Sequence, residues 1–268
     1  METKWKNGKI QTENWDMDYI RFGSGRRVLL MLPGLGDGLQ TVRGTALPMA
    51  WMYRIFSRDF TVYMFSRPND LLAGTSTRDM ARDVARAMEA LGIQGADVLG
   101  VSMGGMIAQY LAIDHPEKVN KLILTVTASE PNPVLEESIV EWIRLAEAGD
   151  HSAFMESNLR RLYSEEYYRK NHWTLPLLGL LTKPASYERF FIQARACLEH
   201  DATAELGKIR AATLIVGGEK DLTLGAEASR KMAERIPGAE LLMYPNWGHG
   251  LYEEEKSFNQ RMLEFLLK

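Results

Sequence analysis

The sequence predicts an α/β protein in which a mostly parallel sheet is flanked by helices and interrupted by one all-helical insertion. Short runs rich in Val, Ile and Leu alternate with segments of helical period, and this alternation lapses between Glu130 and Ile209. With 268 residues, 46% of them hydrophobic and 25% charged, the chain has enough apolar material for one large core. The expected organisation is a core built from residues 1–129 and 210–268 with a helical cap over 130–209.

The first residues, Trp5 to Phe22, carry the alternation of an antiparallel hairpin. Strands are then expected at Val28–Leu32, Phe60–Phe65, Ala96–Val101, Lys121–Thr127, Ala212–Gly218 and Ala239–Tyr244, whose near-continuous apolarity suits burial on both faces. Between them, Pro48 opens a helix with Met49, Met52, Tyr53 and Phe56 on one face. Ser76 and Asp79 form a capping box before Met80, Val84, Met88 and Leu91, and Gly92 stops that helix. Met103, Met106, Ile107, Tyr110 and Leu111 keep helical spacing until Pro116, and Phe258, Met262, Phe265 and Leu266 define a last helix. Within 130–209 the expected helices are separated by Gly149-Asp150, Asn171 and Pro184.

Composition narrows the function. A net charge of −3 argues against a nucleic-acid partner, which would require a basic excess. The single cysteine, Cys197, excludes an intrachain disulfide framework and a cysteine-rich metal site, as suits a reducing compartment. No run of about 18 apolar residues could span a bilayer and no signal-peptide pattern opens the chain, so the expectation is a cytoplasmic protein with a small-molecule partner.

Gly100, Val101, Ser102, Met103 and Gly104 form G-x-S-x-G between a predicted strand and a predicted helix. Exposing a hydroxyl at a strand's carboxyl end requires a sharp reversal, where side chains at Gly100 and Gly104 would collide. The helix that follows points its N–H groups at the same place. A hydroxyl needs a base to act as a nucleophile. Of the histidines, His115 sits at a helix end, and His151, His172 and His200 fall in the insertion as surface or satisfied polar residues; His249 stands in a Gly-flanked loop directly after the last strand. Asp221, just past the Ala212–Gly218 strand, is the candidate acid that would orient it, with Glu130 and Glu219 as rivals. For an oxyanion, the Met103 N–H is one donor and the Leu35 N–H, in the MLPGLGDG loop, the other. Gly34, Gly36 and Gly38 lack the lysine and serine of a phosphate-binding loop, and no dinucleotide fingerprint or metal cluster appears, so no cofactor is expected.

With PGLG at Pro33–Gly36, GVSMGG at Gly100–Gly105, GGEKD at Gly217–Asp221 and GHG at Gly248–Gly250, the chain resembles the α/β-hydrolase superfamily over essentially its whole length. The resemblance implies an eight-stranded sheet, a helical cap inserted after the sixth strand, and a Ser102–His249–Asp221 triad with Leu35 and Met103 amides as oxyanion hole. Members commonly carry His-Gly where this chain has Pro33-Gly34. The activity it implies is hydrolysis of a small or medium carboxylic ester or thioester through an acyl-enzyme. Carbon–carbon bond hydrolysis, a lyase step and a receptor-like binding role are the alternatives within the fold. An apolar acyl pocket is expected under the cap, whose aromatics are Trp142, Phe154, Tyr163, Tyr167, Tyr168, Trp173, Tyr187, Phe190 and Phe191, with Trp247 lining it and Arg160, Arg161, Arg169 and Lys170 available to an acidic substrate.

Overall fold

A computed structural model describes residues 5–12, 15–174 and 183–268. Positions 13 and 14, inside the predicted first hairpin, and residues 175–182, inside the expected cap, lie outside them. The strands are β1 (Trp5–Gln11), β2 (Asp16–Gly23), β3 (Arg27–Leu32), β4 (Phe60–Pro68), β5 (Ala96–Val101), β6 (Val119–Thr125), β7 (Ala212–Gly218) and β8 (Glu240–Tyr244). They form one eight-stranded sheet in the order β1-β2-β4-β3-β5-β6-β7-β8. Pairings β1–β2 and β2–β4 are antiparallel, and every pairing from β4 through β3 to β8 is parallel.

Alternation within the central strands divides the core. Leu30, Leu32, Val98, Leu122, Leu124 and Ile215 point to one face, Leu29, Met31, Leu99, Ile123, Leu214 and Val216 to the other. That two-sided demand for apolar residues explains the near-continuous runs in the sequence. β6 ends at Thr125, two residues earlier than the run of β-branched residues suggests, because Val126 leaves the strand at φ 41°.

The helices of the core are α1 (Ala46–Met52), α2 (Thr77–Ala90) and α3 (Met103–Asp114). α1 begins two residues before Pro48, which corrects the expected start. Proline costs nothing anywhere in a first turn whose N–H groups have no intrahelical acceptor. Tyr53 and Phe56, expected on this helix, lie instead at its C-cap and on a 3-10 turn over Arg54–Phe56. α2 carries the predicted capping box: the Ser76 hydroxyl accepts from the Asp79 N–H at 3.1 Å while the Asp79 carboxylate accepts from the Ser76 N–H at 3.1 Å. Gly92, at φ 69°, ends it as expected.

Between β6 and β7 the described chain is helical: α4 (Pro133–Glu147), α5 (His151–Leu162), α6 (Glu165–Asn171) and α7 (Glu188–Leu198). Asn132, Asp150 and Ser164 cap the first three with side-chain oxygens, so polar residues at the breaks set the boundaries. The chain then closes with α8 (Glu227–Arg235), α9 (Leu251–Glu254) and α10 (Phe258–Leu267). No helix among the described residues is long and apolar enough to cross a membrane.

His200, 1% exposed, ties the chain after α7 to α2 and α3: its Nδ1 meets the Thr77 hydroxyl at 2.9 Å and its Nε2 faces Gln109 Oε1 at 3.4 Å. Because an amide oxygen only accepts, Nε2 carries a proton. Burial pushes its pKa down to about 4, well below the ordinary value of about 6.5. Between those values the unfolded chain binds a proton that the native state refuses. Stability therefore falls as pH drops through this window, by at most about 1.4 kcal/mol per unit from this group. His200→Gln should flatten the dependence of the denaturation midpoint on pH between about 6.5 and 4; an unchanged slope would refute the assignment.

Candidate active site

Ser102 occupies the first position after β5 and caps α3, with φ 54° and ψ −122°. For a side chain bearing a Cβ this is strained backbone, and the surroundings show what holds it there. The Ser102 N–H donates to Thr125 O at 2.9 Å and its carbonyl accepts from the Thr127 hydroxyl at 2.7 Å, tying the turn to the end of β6. Glycine is obligatory on both sides. A Cβ on Gly100 would lie 2.5 Å from Gly104 O, and one on Gly104 only 1.9 Å from Leu32 O. α3 follows with every residue from Met103 to Ile113 buried, as a helix enclosed on all sides requires.

The loop after β3 lies against this turn. A Cβ on Gly34 would meet Ser102 Cβ at 3.3 Å, so the start of the 3-10 turn Leu35–Gly38 sits directly over the serine. Among the described residues no backbone acceptor takes the N–H of Leu35 or of Met103. A buried ionic cluster holds the loop in place. Arg67 Nη2 donates to Pro33 O at 2.5 Å, while the fully buried Asp37 carboxylate accepts from the Arg67 N–H at 3.2 Å, Arg189 Nη2 at 2.6 Å and Gln193 Nε2 at 3.3 Å. Arg189 and Gln193 belong to α7, so the loop is gripped from β4 on one side and from the inserted helices on the other. Such a cluster carries a desolvation cost but specifies one loop geometry.

His249, 2% exposed, and Asp221, 8% exposed, follow β8 and β7. His249 Nδ1 lies 2.9 Å from Asp221 Oδ2. The other carboxylate oxygen accepts the N–H groups of Thr223 at 2.8 Å and Leu224 at 2.9 Å. Asp221 thus caps the turn that follows it and fixes the imidazole with its second oxygen. Burial alone would push this carboxyl up, but the imidazole and the backbone donors outweigh burial and hold it below the ordinary range. The imidazole reaches Asp221 because its loop folds back over β7: the Lys220 N–H donates to Trp247 O at 3.0 Å, and a Cβ on Gly218 would fall 2.4 Å from that oxygen. With Nδ1 occupied, Nε2 is the nitrogen left for the cavity into which both Ser102 and His249 face.

Residues 27–256, which hold the six parallel strands, the serine turn, the acid and the imidazole, match a known family, that of the alpha/beta hydrolase fold. The chain belongs to this family. By family it is a hydrolase-fold enzyme. Among its relatives are the "Putative carbamate hydrolase RutD" of Caulobacter segnis, 25% identical over 91% of this chain and 92% of that one, and the 2-hydroxy-6-oxo-6-phenylhexa-2,4-dienoate hydrolase of Comamonas testosteroni, 28% identical over 92% and 90%. The crystal structure of MGS-M2, an alpha/beta hydrolase enzyme from a Medee basin deep-sea metagenome library, superposes with a TM-score of 0.87 at 21% identity, covering 97% of this chain and 98% of that one.

In this hydrolase-fold chain the cavity beside Ser102 holds about 440 Å³. Its wall includes Met31, Met64, Leu99 and Met106 from the sheet side and Leu135, Ile139, Trp142 and Leu162 from α4 and α5. Of the cap aromatics, Trp142 reaches it; Phe154, Tyr163 and Tyr167 border a second cavity of about 360 Å³, and Tyr187, Phe190 and Phe191 pack on one another. Trp247, expected to line the pocket, does not: its indole N–H donates to Glu255 at 2.7 Å and its ring packs on the core beneath α10. Cys197 lines the cavity as a fully buried thiol that burial pushes up to about 12, which leaves it protonated and unreactive. Glu130 pairs with Lys231 at 3.3 Å and Glu219 with Arg230 at 2.5 Å, so neither rival carboxylate is the one at the imidazole. Of the cations expected to be available to an acidic substrate, Arg160 pairs with Glu156, Arg161 with Glu137 and Glu141, and Arg169 with Glu165, whereas Lys170 has no ion pair among the described residues.

Sequence reasoning missed Asp37, Arg189 and Glu253. Asp37 finds its arginine partners 30 and 152 positions away, a separation that leaves no local signal. Glu253, which lines the cavity, does carry one, since it follows His249 by one helical turn.

Proposed function

We propose that the protein is a cofactor-independent serine hydrolase that cleaves a small or medium carboxylic ester or thioester through an acyl-enzyme. The observation that carries this reading is the 2.9 Å contact between His249 and Asp221 behind a cavity that Ser102 also faces. In the first step His249 Nε2 takes the proton of the Ser102 hydroxyl as Oγ attacks the carbonyl carbon. The negative charge that develops on the carbonyl oxygen is met by the Leu35 and Met103 N–H groups. Asp221 stabilises the imidazolium, which then protonates the departing alcohol or thiol. A water molecule repeats the sequence on the acyl-enzyme, its proton passing through His249 back to Ser102. Residues 130–209 act in this scheme as the cap over a core of 1–129 and 210–268.

Carbon–carbon hydrolysis of an acidic substrate is less well supported, although the Comamonas relative is named as the hydrolase of a dienoate. Among its described residues the cavity wall contains Asp37 and Glu253 but no lysine or arginine, and Arg160 and Arg161 are taken by carboxylates of the cap. A panel of p-nitrophenyl butyrate, butyryl thioester, a carbamate ester and a vinylogous 1,5-diketone acid should give the two acyl substrates the highest kcat/KM. A stoichiometric adduct of an organophosphorus probe should map to Ser102. Faster turnover of the diketone acid, or no adduct, would overturn the reading.

A further inference from the structure

The cavity wall is largely apolar, and it carries two carboxylates, Asp37 and Glu253. Glu253 lies on α9 one turn beyond His249, and although protein surrounds it, its side chain keeps accessible surface on the cavity. One carboxylate oxygen, Oε2, accepts the Tyr163 hydroxyl at 2.6 Å. The Tyr163 ring stacks on Tyr167 with centroids 4.3 Å apart, and the rings of Tyr53 and Tyr252 line the same cavity as Glu253. Asp37, the other carboxylate of the wall, is already paired with Arg189 at 2.6 Å. Glu253 differs: among the described residues no Lys, Arg or His stands within ion-pair distance of it.

Glu253 is exposed to the cavity, yet the protein around it holds its carboxyl above the usual range despite the Tyr163 hydrogen bond. Aromatic rings such as those of Tyr53 and Tyr252 in the same cavity wall attract positive charge through their quadrupoles. A carboxylate with no cation of its own, sharing a cavity wall with the Tyr53 and Tyr252 rings, makes the complement of an alkylammonium group. We propose that Glu253, with Tyr163, Tyr53 and Tyr252, forms a cation-recognising subsite, and that the preferred substrates are esters whose acyl or alcohol part carries an ammonium group. This assignment rests on the acyl-transfer reading above and names its substrate class.

The test compares butyrylcholine with its neutral isostere, 3,3-dimethylbutyl butyrate. The wild-type protein should favour the cationic ester at least about tenfold in kcat/KM, mostly through KM, a preference that weakens with added salt. In Glu253→Gln the ratio should fall to near one. Tyr53→Leu, which removes one ring from the wall, should lower it severalfold, and stands in for Glu253→Gln if that variant does not fold. A wild-type ratio near or below one, or a ratio that survives Glu253→Gln, overturns the subsite while leaving the acyl-transfer chemistry in place. If neither ester turns over, the chemistry fails. The subsite is then judged by calorimetric binding of choline against 3,3-dimethylbutanol: saturable binding of choline alone, lost in Glu253→Gln, supports it, and equal or absent binding refutes it.

Discussion

Ser102→Ala is expected to fold normally and to lose ester turnover by roughly a millionfold in kcat, the scale seen when a serine nucleophile is removed from an assembled triad. Some rate above the uncatalysed reaction should persist, because the proposed Leu35 and Met103 N–H donors and the cavity would still act on the carbonyl. The measurement is kcat on a chromogenic butyrate ester, with the thermal midpoint as the control for folding. Ser102→Gly sharpens the test. The serine sits at φ 54° and ψ −122°, a conformation that costs a side chain about 1–3 kcal/mol and glycine almost nothing. After the greater entropy that glycine loses on folding, Ser102→Gly should still be more stable than wild type by about 1 kcal/mol. Ser102→Ala keeps the strain and should gain nothing. An alanine variant within tenfold of wild-type activity would remove the serine from the mechanism.

Gly104→Ala should be the most destabilising single methyl addition at this site. Its Cβ would stand 1.9 Å from Leu32 O and 2.7 Å from Pro33 O, both backbone atoms of β3 and the loop over the serine. Neither can move without breaking the sheet or the Arg67 contact to Pro33 O at 2.5 Å. A loss of at least about 3 kcal/mol is expected, a large share of a typical domain's total stability. Urea denaturation and soluble yield read the effect. Gly36→Ala, where an added Cβ meets nothing within 4 Å, is the matched control and should change stability by less than about 0.5 kcal/mol. Equal midpoints for the two variants would show that the elbow tolerates a side chain after all.

The two glycine positions illustrate how unevenly the sequence speaks. The demand for glycine at Gly100 and Gly104 was legible because it follows from a local event, a strand reversing into a helix around one residue. So were the capping box of Ser76, the helix breaks at Gly149-Asp150 and Asn171, and the succession of apolar runs that became β3 to β8. Asp221 and His249 could be placed on strand ends, but their contact could not be derived from spacing. It depends on the β8 loop bending back over β7, which the Lys220 to Trp247 hydrogen bond and the missing side chain of Gly218 allow. Pro48, Trp247 and the end of β6 were misplaced because neighbours overrode local pattern: a first turn tolerant of proline, a carboxylate that draws the indole away, and a residue at φ 41° that stops the strand.

By itself the sequence determined the order of strands and helices, the strained serine and the shortlist of titratable partners, because each depends on residues within one or two turns of chain. The tertiary structure alone decided which carboxylate meets the imidazole, that Asp37 binds α7 to the loop above the serine, and that Glu253, Tyr53 and Tyr252 share the chamber with Ser102. These contacts join residues up to 156 positions apart. Chain separation carries no direct information about distance once a parallel sheet has gathered its loops on one edge.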